Sequence, residues 1–176
     1  MTDNIIITGF GGQGILFAGK ILAYAALMKG KQLSWLPSYG PEMRGGTANC
    51  HVIISDEPVG SPIIIHPNIL ISMNKPSLEK FEKDVVPCGT IIYDKTLIDR
   101  DIQRDDVKVV AVEATKISEK EAKANMANMI MLGALIKATG IFTLEEIEEG
   151  VKKAVPPTKK EMVEFNINLI KTGYNI

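Results

Sequence analysis

Cysteine is scarce in this chain, and its scarcity removes whole classes of chemistry. Cys50 and Cys88 are the 2 cysteines among 176 residues, and His51 and His66 are the 2 histidines. An iron–sulfur cluster is normally held by four thiolates, and structural zinc by four closely spaced Cys or His ligands. The chain alone therefore lacks the ligands for a cluster. Cys50 and His51 are adjacent, and successive residues of a strand point to opposite faces, so they make a poor metal pair. No metal ligand is assigned.

An excess of one charge is lacking as well. The 20 Lys and Arg residues balance 21 Asp and Glu without a block of like charges, which supplies no footprint for nucleic acid or an anionic membrane. Long apolar runs are missing: the stretch from Met129 to Ile136 falls far short of the roughly 20 residues of a membrane helix, and reads as a buried helix. Met1-Thr2-Asp3 passes straight into Ile5-Ile6-Ile7 without the basic region and cleavage site of a secretory signal. A cytoplasmic protein is expected. The length and the 45% hydrophobic content allow one full core, so residues 1–176 are expected to form a single domain.

Acidic residues are absent between Asp3 and Glu42, which bears on the glycine cluster Gly9-Phe10-Gly11-Gly12-Gln13-Gly14. Gly9-x-Gly11-x-x-Gly14 matches a GxGxxG pattern between an apolar strand at Asn4 to Thr8 and a helix from Ile15. Backbone N–H groups and a helix N-terminus in that context can accept phosphate. Dinucleotide binding also calls for an Asp or Glu about 20 residues on to hold the ribose, and that acid is missing. The cluster can equally serve as a tight strand-to-helix turn with close packing. Gly14-x-x-x-x-Gly19-Lys20 imitates a P-loop, but Ile21 stands where a Ser or Thr should bind Mg²⁺.

What the chain does have is a pattern of alternating strands and helices followed by a helical tail. The helix from Ile15 carries small residues at Ala18, Gly19, Ala25 and Ala26 and should end near Gly30, as helix C-termini often do. Strands are expected at Lys31 to Leu36, Thr47 to Ser55, Ile69 to Met73, Thr90 to Tyr93 and Val107 to Val112, with a short helix near Ser77 to Lys83. In the Thr47 to Ser55 strand, Ala48, Cys50, Val52 and Ile54 alternate with Asn49, His51, Ile53 and Ser55. That polar alternate face suggests an edge or a partner surface, and an antiparallel strand. Ser118-x-x-Glu121, Thr143-x-x-Glu146 and Thr158-x-x-Glu161 each fit a capping box. Pro156-Pro157 separates the last two helices, and Gly173 should end the final one. The expected fold is α/β, a three-layer Rossmann-like domain with a mixed, mostly parallel sheet and a helical C-terminal part.

The segment Pro37-Ser38-Tyr39-Gly40-Pro41-Glu42-Met43-Arg44-Gly45-Gly46 is too rich in Gly and Pro for a helix or a central strand. It nevertheless carries an acid, a base, a phenol and a hydroxyl. Arg44 can clamp a carboxylate or phosphate, or it can pair with Glu42 in a surface ion pair worth about 0–1 kcal/mol. Asn125 and Asn128 fall one helical turn apart in an apolar stretch, where they can reach one neighbour together or satisfy buried backbone groups. Met126, Met129 and Met131 read as core filler.

Gly11-Gly12-Gln13-Gly14 followed by Ser38-Tyr39-Gly40-Pro41-Glu42-x-Arg44-Gly45-Gly46 resembles the gamma subunit of the 2-oxoacid:ferredoxin oxidoreductases. The resemblance continues through Val52-Ile53-Ile54-Ser55-Asp56, Pro62, Met73-Asn74, Gly89-Thr90-Ile91-Ile92, Ala124 to Met129 and Leu132-Gly133-Ala134. Its form is similar to the 2-oxoglutarate and branched-chain keto acid types. The resemblance implies CoA-dependent oxidative decarboxylation to an acyl-CoA, with electrons passed to ferredoxin. It further implies thiamine diphosphate, Mg²⁺ and 4Fe-4S clusters in alpha, beta and ferredoxin-like delta partner subunits, with coenzyme A as co-substrate. This chain also lacks the Gly-Asp-Gly stretch that introduces a thiamine diphosphate site, so it is expected to be silent alone.

Arg44, Glu42, Tyr39 and Ser38 are the expected catalytic-site contributors. Gly9, Gly11, Gly12, Gln13, Gly14, Asn125 and Asn128 are the expected cofactor-binding ones. Two other readings compete: a free-standing Rossmann-like flavoprotein holding flavin phosphate between the glycine loop and the Ser72-Met73-Asn74 turn, and a non-catalytic assembly module.

Overall fold

Three consecutive isoleucines place the first strand at the heart of the sheet. In β1 (Thr2–Phe10), Ile5 and Ile7 face one apolar layer and Ile6 faces the other, and all three are buried. A strand covered on both faces needs such a run. The computed structural model of the protein describes residues 1–38, 47–121 and 126–176.

Among these residues the sheet has 6 strands in the order β2-β3-β1-β4-β5-β6, with β2 at Gln32–Ser38, β3 at Thr47–Ser55, β4 at Ile69–Ser72, β5 at Thr90–Asp94 and β6 at Lys108–Val112. The β1/β4, β4/β5 and β5/β6 pairs are parallel, while β3 runs antiparallel to both β1 and β2. The mixed, mostly parallel sheet and the α/β class agree with the sequence reading.

The position of β3 departs from that reading. It is an interior strand between β2 and β1, with β2 at the edge. Its polar alternate residues are covered: Asn49 and Ser55 are buried, and His51 lies under the segment 56–68. Ile64 of that segment buries its side chain against Ile6 and Ile53, and its N–H donates to His51 Nδ1 at 3.0 Å.

On one face of the sheet lie α1 (Ile15–Met28), α3 (Ala114–Lys120) and α4 (Ala127–Thr139), with α5 (Leu144–Ala154) packed on α1 and α6 (Glu161–Tyr174) on α4. The opposite face carries α2 (Lys75–Phe81) and the 56–68 segment. Gly19 lets α1 lie against β3, since a Cβ there would stand 2.5 Å from Cys50 Sγ. The run from Ala127 to Ile136 is buried throughout, as its composition required.

Two expected capping boxes do not form. Ser118 sits inside α3, where its Oγ accepts from the Met126 N–H. Thr158 belongs to the 3₁₀ turn Pro157–Lys159, which runs into α6 without a side-chain cap. Gly173 does not end α6 either. It is buried within the helix, where an added Cβ would strike the Ile130 carbonyl. Gly133 of α4 makes the reciprocal approach to Ile170, so the two glycines set the α4/α6 contact. No helix among the described residues is long and apolar enough to cross a membrane.

Candidate functional site

The connection from β1 runs through α1 toward β2 and β3, whereas that from β4 runs through α2 toward β5, and the two helices lie on opposite faces. The carboxyl ends of β1 and β4 therefore border a topological switch point, where open α/β sheets bind ligands. The glycine loop leaves β1 at this crevice and the Met73 turn leaves β4. The buried hydroxyls of Thr8 and Ser72 close its floor, 3.3 Å apart, with Ser72 Oγ donating to the Asn74 carbonyl at 3.1 Å. A cavity of about 220 Å³ opens above, bordered by Gln13, Met73, Leu97, Thr115 and Ala127.

Sheet register also places the residues that flank the second motif. Thr47 pairs with Phe10, and Ser38 pairs with Asn49. The chain thus leaves β2 and re-enters β3 at the edge from which the glycine loop emerges. β1 and β2 are not neighbours, because β3 lies between them. Ser38 is exposed at the end of β2. Tyr39, Glu42 and Arg44 lie outside the described residues, as does Asn125.

Within the loop, glycine and amide side chains fit together. Gln13 folds back so that its Oε1 accepts the Phe10 N–H at 2.6 Å, while its Nε2 donates to the Met73 carbonyl at 3.3 Å. Gly9 makes this possible, since a Cβ there would lie 2.5 Å from Gln13 Oε1. Gly14 has a left-handed φ of 72° and N-caps α1. Its carbonyl accepts from Asn128 Nδ2 at 3.1 Å, and a Cβ on Gly14 would strike that same nitrogen. Gly12, at φ 92°, faces open space, and Gly11 is exposed.

Helix α1 starts without a side-chain cap or an acidic residue in its first turn. Its leading N–H groups have no intrahelical partners and carry the positive end of the helix dipole. Beside them runs a groove of about 360 Å³ bordered by Phe10, Gly11, Gly12, Leu16, Phe17 and Ala48. A neighbouring cavity of about 430 Å³ shares Gly14 and Phe17 and reaches Met126, Asn128, Met162 and Asn166. The exposed backbone, the helix dipole and the apolar walls suit an anionic head with an apolar body.

The titratable groups nearby have other tasks. Burial pushes the Cys50 thiol up to about 12, so it remains an inert thiol. Burial also lowers the His51 pKa. Asp94, wholly buried at the end of β5, accepts from Thr96 N–H at 3.0 Å and Thr115 N–H at 3.1 Å, anchoring the start of α3. Among the described residues no three His, Cys, Asp or Glu side chains cluster as metal ligands. The sequence reading had missed the Asp94 anchor and the covering of His51. A lone Asp ending an apolar strand was the available sign of the first, and nothing local signalled the second.

Comparison with known proteins matches residues 4–176 to the family described as pyruvate ferredoxin/flavodoxin oxidoreductase. The chain is 41% identical over 173 residues to the ketoisovalerate oxidoreductase subunit VorA of Methanothermobacter thermautotrophicus, covering 97% of this chain and 35% of that one. It therefore spans about a third of the length of that relative. It is 37% identical over 179 residues to the 2-oxoglutarate synthase subunit KorC of Methanocaldococcus jannaschii, covering 100% of this chain and 94% of the relative. Among solved structures, the gamma subunit of a keto/oxoacid ferredoxin oxidoreductase from Geobacter sulfurreducens superposes with a TM-score of 0.83 at 30% identity, covering 98% and 96% of the two chains.

Proposed function

We propose that this chain, which belongs to the pyruvate ferredoxin/flavodoxin oxidoreductase family, is the gamma-type component of a multisubunit 2-oxoacid:ferredoxin oxidoreductase. Its substrate is 2-oxoglutarate or a branched-chain 2-oxoacid, which the complex decarboxylates oxidatively to an acyl-CoA while electrons pass to ferredoxin. Relatives named as 2-oxoglutarate synthase and ketoisovalerate oxidoreductase subunits support the reaction class and both substrate types. Residues 1–176 act as one domain in the cytoplasm, joined to alpha, beta and ferredoxin-like delta partners.

The Phe10/Thr47 pairing carries the site assignment. It sets Thr47, with Ser38 alongside on β2, at the end of the sheet where the glycine loop leaves β1, which supports reading the two motifs as parts of one site. On this reading Gly11 and Gly12 present backbone N–H groups to an anion, with Gly9 and Gly14 allowing the loop to close on Gln13 and Asn128. Arg44 holds an anion or a partner carboxylate, Glu42 orients Arg44, Tyr39 supplies an aromatic anchor, and Ser38 adds a hydroxyl. Asn125 adds an amide to the site, and Gln13 and Asn128 border the adjoining cavities with their amides bonded to the loop.

Coenzyme A is the anion this end fits. Its diphosphate matches the helix dipole and exposed glycines, and its long arm matches the apolar groove. When bound it supplies the thiol that accepts the acyl group. Thiamine diphosphate, Mg²⁺ and the clusters belong to partner chains on this reading, because 2 cysteines are too few for a cluster and the hard chemistry is carried by cofactors.

Reconstitution with the partner subunits tests the assignment. Arg44→Ala is expected to lower kcat/KM of the complex by about 100-fold or more, the scale of a lost electrostatic contact at a reacting site, while its urea midpoint stays at the wild-type value. Wild-type turnover in that variant would remove Arg44 from the site.

A further inference from the structure

Two of the fingerprint glycines are filled by side-chain amides. Gly9 leaves the space that Gln13 Oε1 occupies, and Gly14 leaves the space against Asn128 Nδ2. In a dinucleotide-binding GxGxxG loop the second glycine admits the ligand's pyrophosphate, while the first allows the tight turn and the third allows close helix–strand packing. Here the first and third also make room for Gln13 and Asn128, and the second, Gly11, stays exposed. Each amide then bonds the loop to a different element: Gln13 ties the end of β1 to the Met73 carbonyl beyond β4, and Asn128 ties the start of α1 to α4.

We infer that Gln13 and Asn128 are paired positioning residues, two amide clamps that hold loop 9–14 across the switch-point crevice and leave Gly11 and Gly12 as its outward-facing part. The inference rests on the proposed function for its effect on turnover, and on the geometry alone for the clamp itself. Both polar ends of Gln13 are engaged within the protein, which fits a support better than a free ligand donor. Asn128 is buried and its donor meets the Gly14 carbonyl. Reacting and binding groups lose much of their effect when displaced by about 1 Å, so a loop clamped on both sides has a functional rationale.

Amide hydrogen exchange of the full chain tests the clamp. Gln13→Met removes both bonds with little change of volume and should speed exchange at Phe10 by about fivefold or more, the scale of one lost hydrogen bond. Gln13→Glu keeps the acceptor and loses the donor, so Phe10 should stay protected while the link to Met73 is lost. Gly9→Ala should reproduce Gln13→Met by displacing the amide. Unchanged Phe10 exchange in both Gln13→Met and Gly9→Ala would overturn the clamp.

In the reconstituted complex, Gln13→Met, which adds no charge beside the anion, should raise the KM for coenzyme A about tenfold through loss of ground-state positioning. A wild-type KM in a variant that has lost the Met73 link would overturn the positioning role. A wild-type complex that turns over no 2-oxoacid with coenzyme A would sink the proposed function instead, and the exchange measurement would still decide the clamp.

Discussion

His51 keeps its ring neutral because its Nδ1 accepts the Ile64 N–H, so a second proton there would face a donor. Burial holds its pKa below the ordinary value of 6.5. The unfolded chain therefore takes up the proton more readily than the folded one, and stability rises with pH across the interval between the lowered value and 6.5. The contribution is fully present above the unfolded value and is lost as pH falls through the folded one. Urea denaturation at a series of pH values should show this slope in wild type and a flatter one in His51→Gln. An NMR titration of His51 with a midpoint at or above 6.5 would contradict the geometry. At this scale the sequence conveyed little: Gln13 and Asn128 were legible as polar residues at a candidate site, but their bonds reach Met73 and Gly14 over separations of 60 and 114 residues.

Elements were legible where the signal is local. The Thr143 box forms in full, with the Thr143 side chain accepting the Glu146 N–H and the Glu146 carboxylate accepting the Thr143 N–H at 2.9 Å. Thr158 has the same spacing to Glu161, yet the two prolines preceding it lead into a 3₁₀ turn continuous with α6. Thr143→Ala should cost about 1 kcal/mol of stability, and Thr158→Ala less than about 0.5 kcal/mol as an ordinary surface change. Equal losses from the two, in paired denaturation curves, would show that the turn at Thr158 acts as a cap after all. Gly173 illustrates a signal that is local but misleading. Its role is to admit the Ile130 backbone from α4, a contact between helices that no C-terminal pattern can reveal. β3 was misplaced for a related reason: period-two polarity cannot distinguish an open face from one covered by an irregular segment such as 56–68.

Across the whole molecule, the fold class followed from the order of apolar runs and glycine-rich turns, whereas the strand order depended on long-range pairing. The placement of β3 between β2 and β1 brings Ser38 and Thr47 to the end of the sheet at which the glycine loop leaves β1. Relatives of this chain are named as subunits of 2-oxoacid oxidoreductases. The matched region spans 35% of the VorA relative and 94% of the KorC relative, so the same unit occurs within a longer chain and nearly by itself. Purification of the tagged chain at native expression level decides whether it works within a complex. Larger partner chains, iron and thiamine diphosphate are expected to co-purify with it in fixed proportion. A solitary chain free of iron and thiamine diphosphate would contradict membership of such a complex.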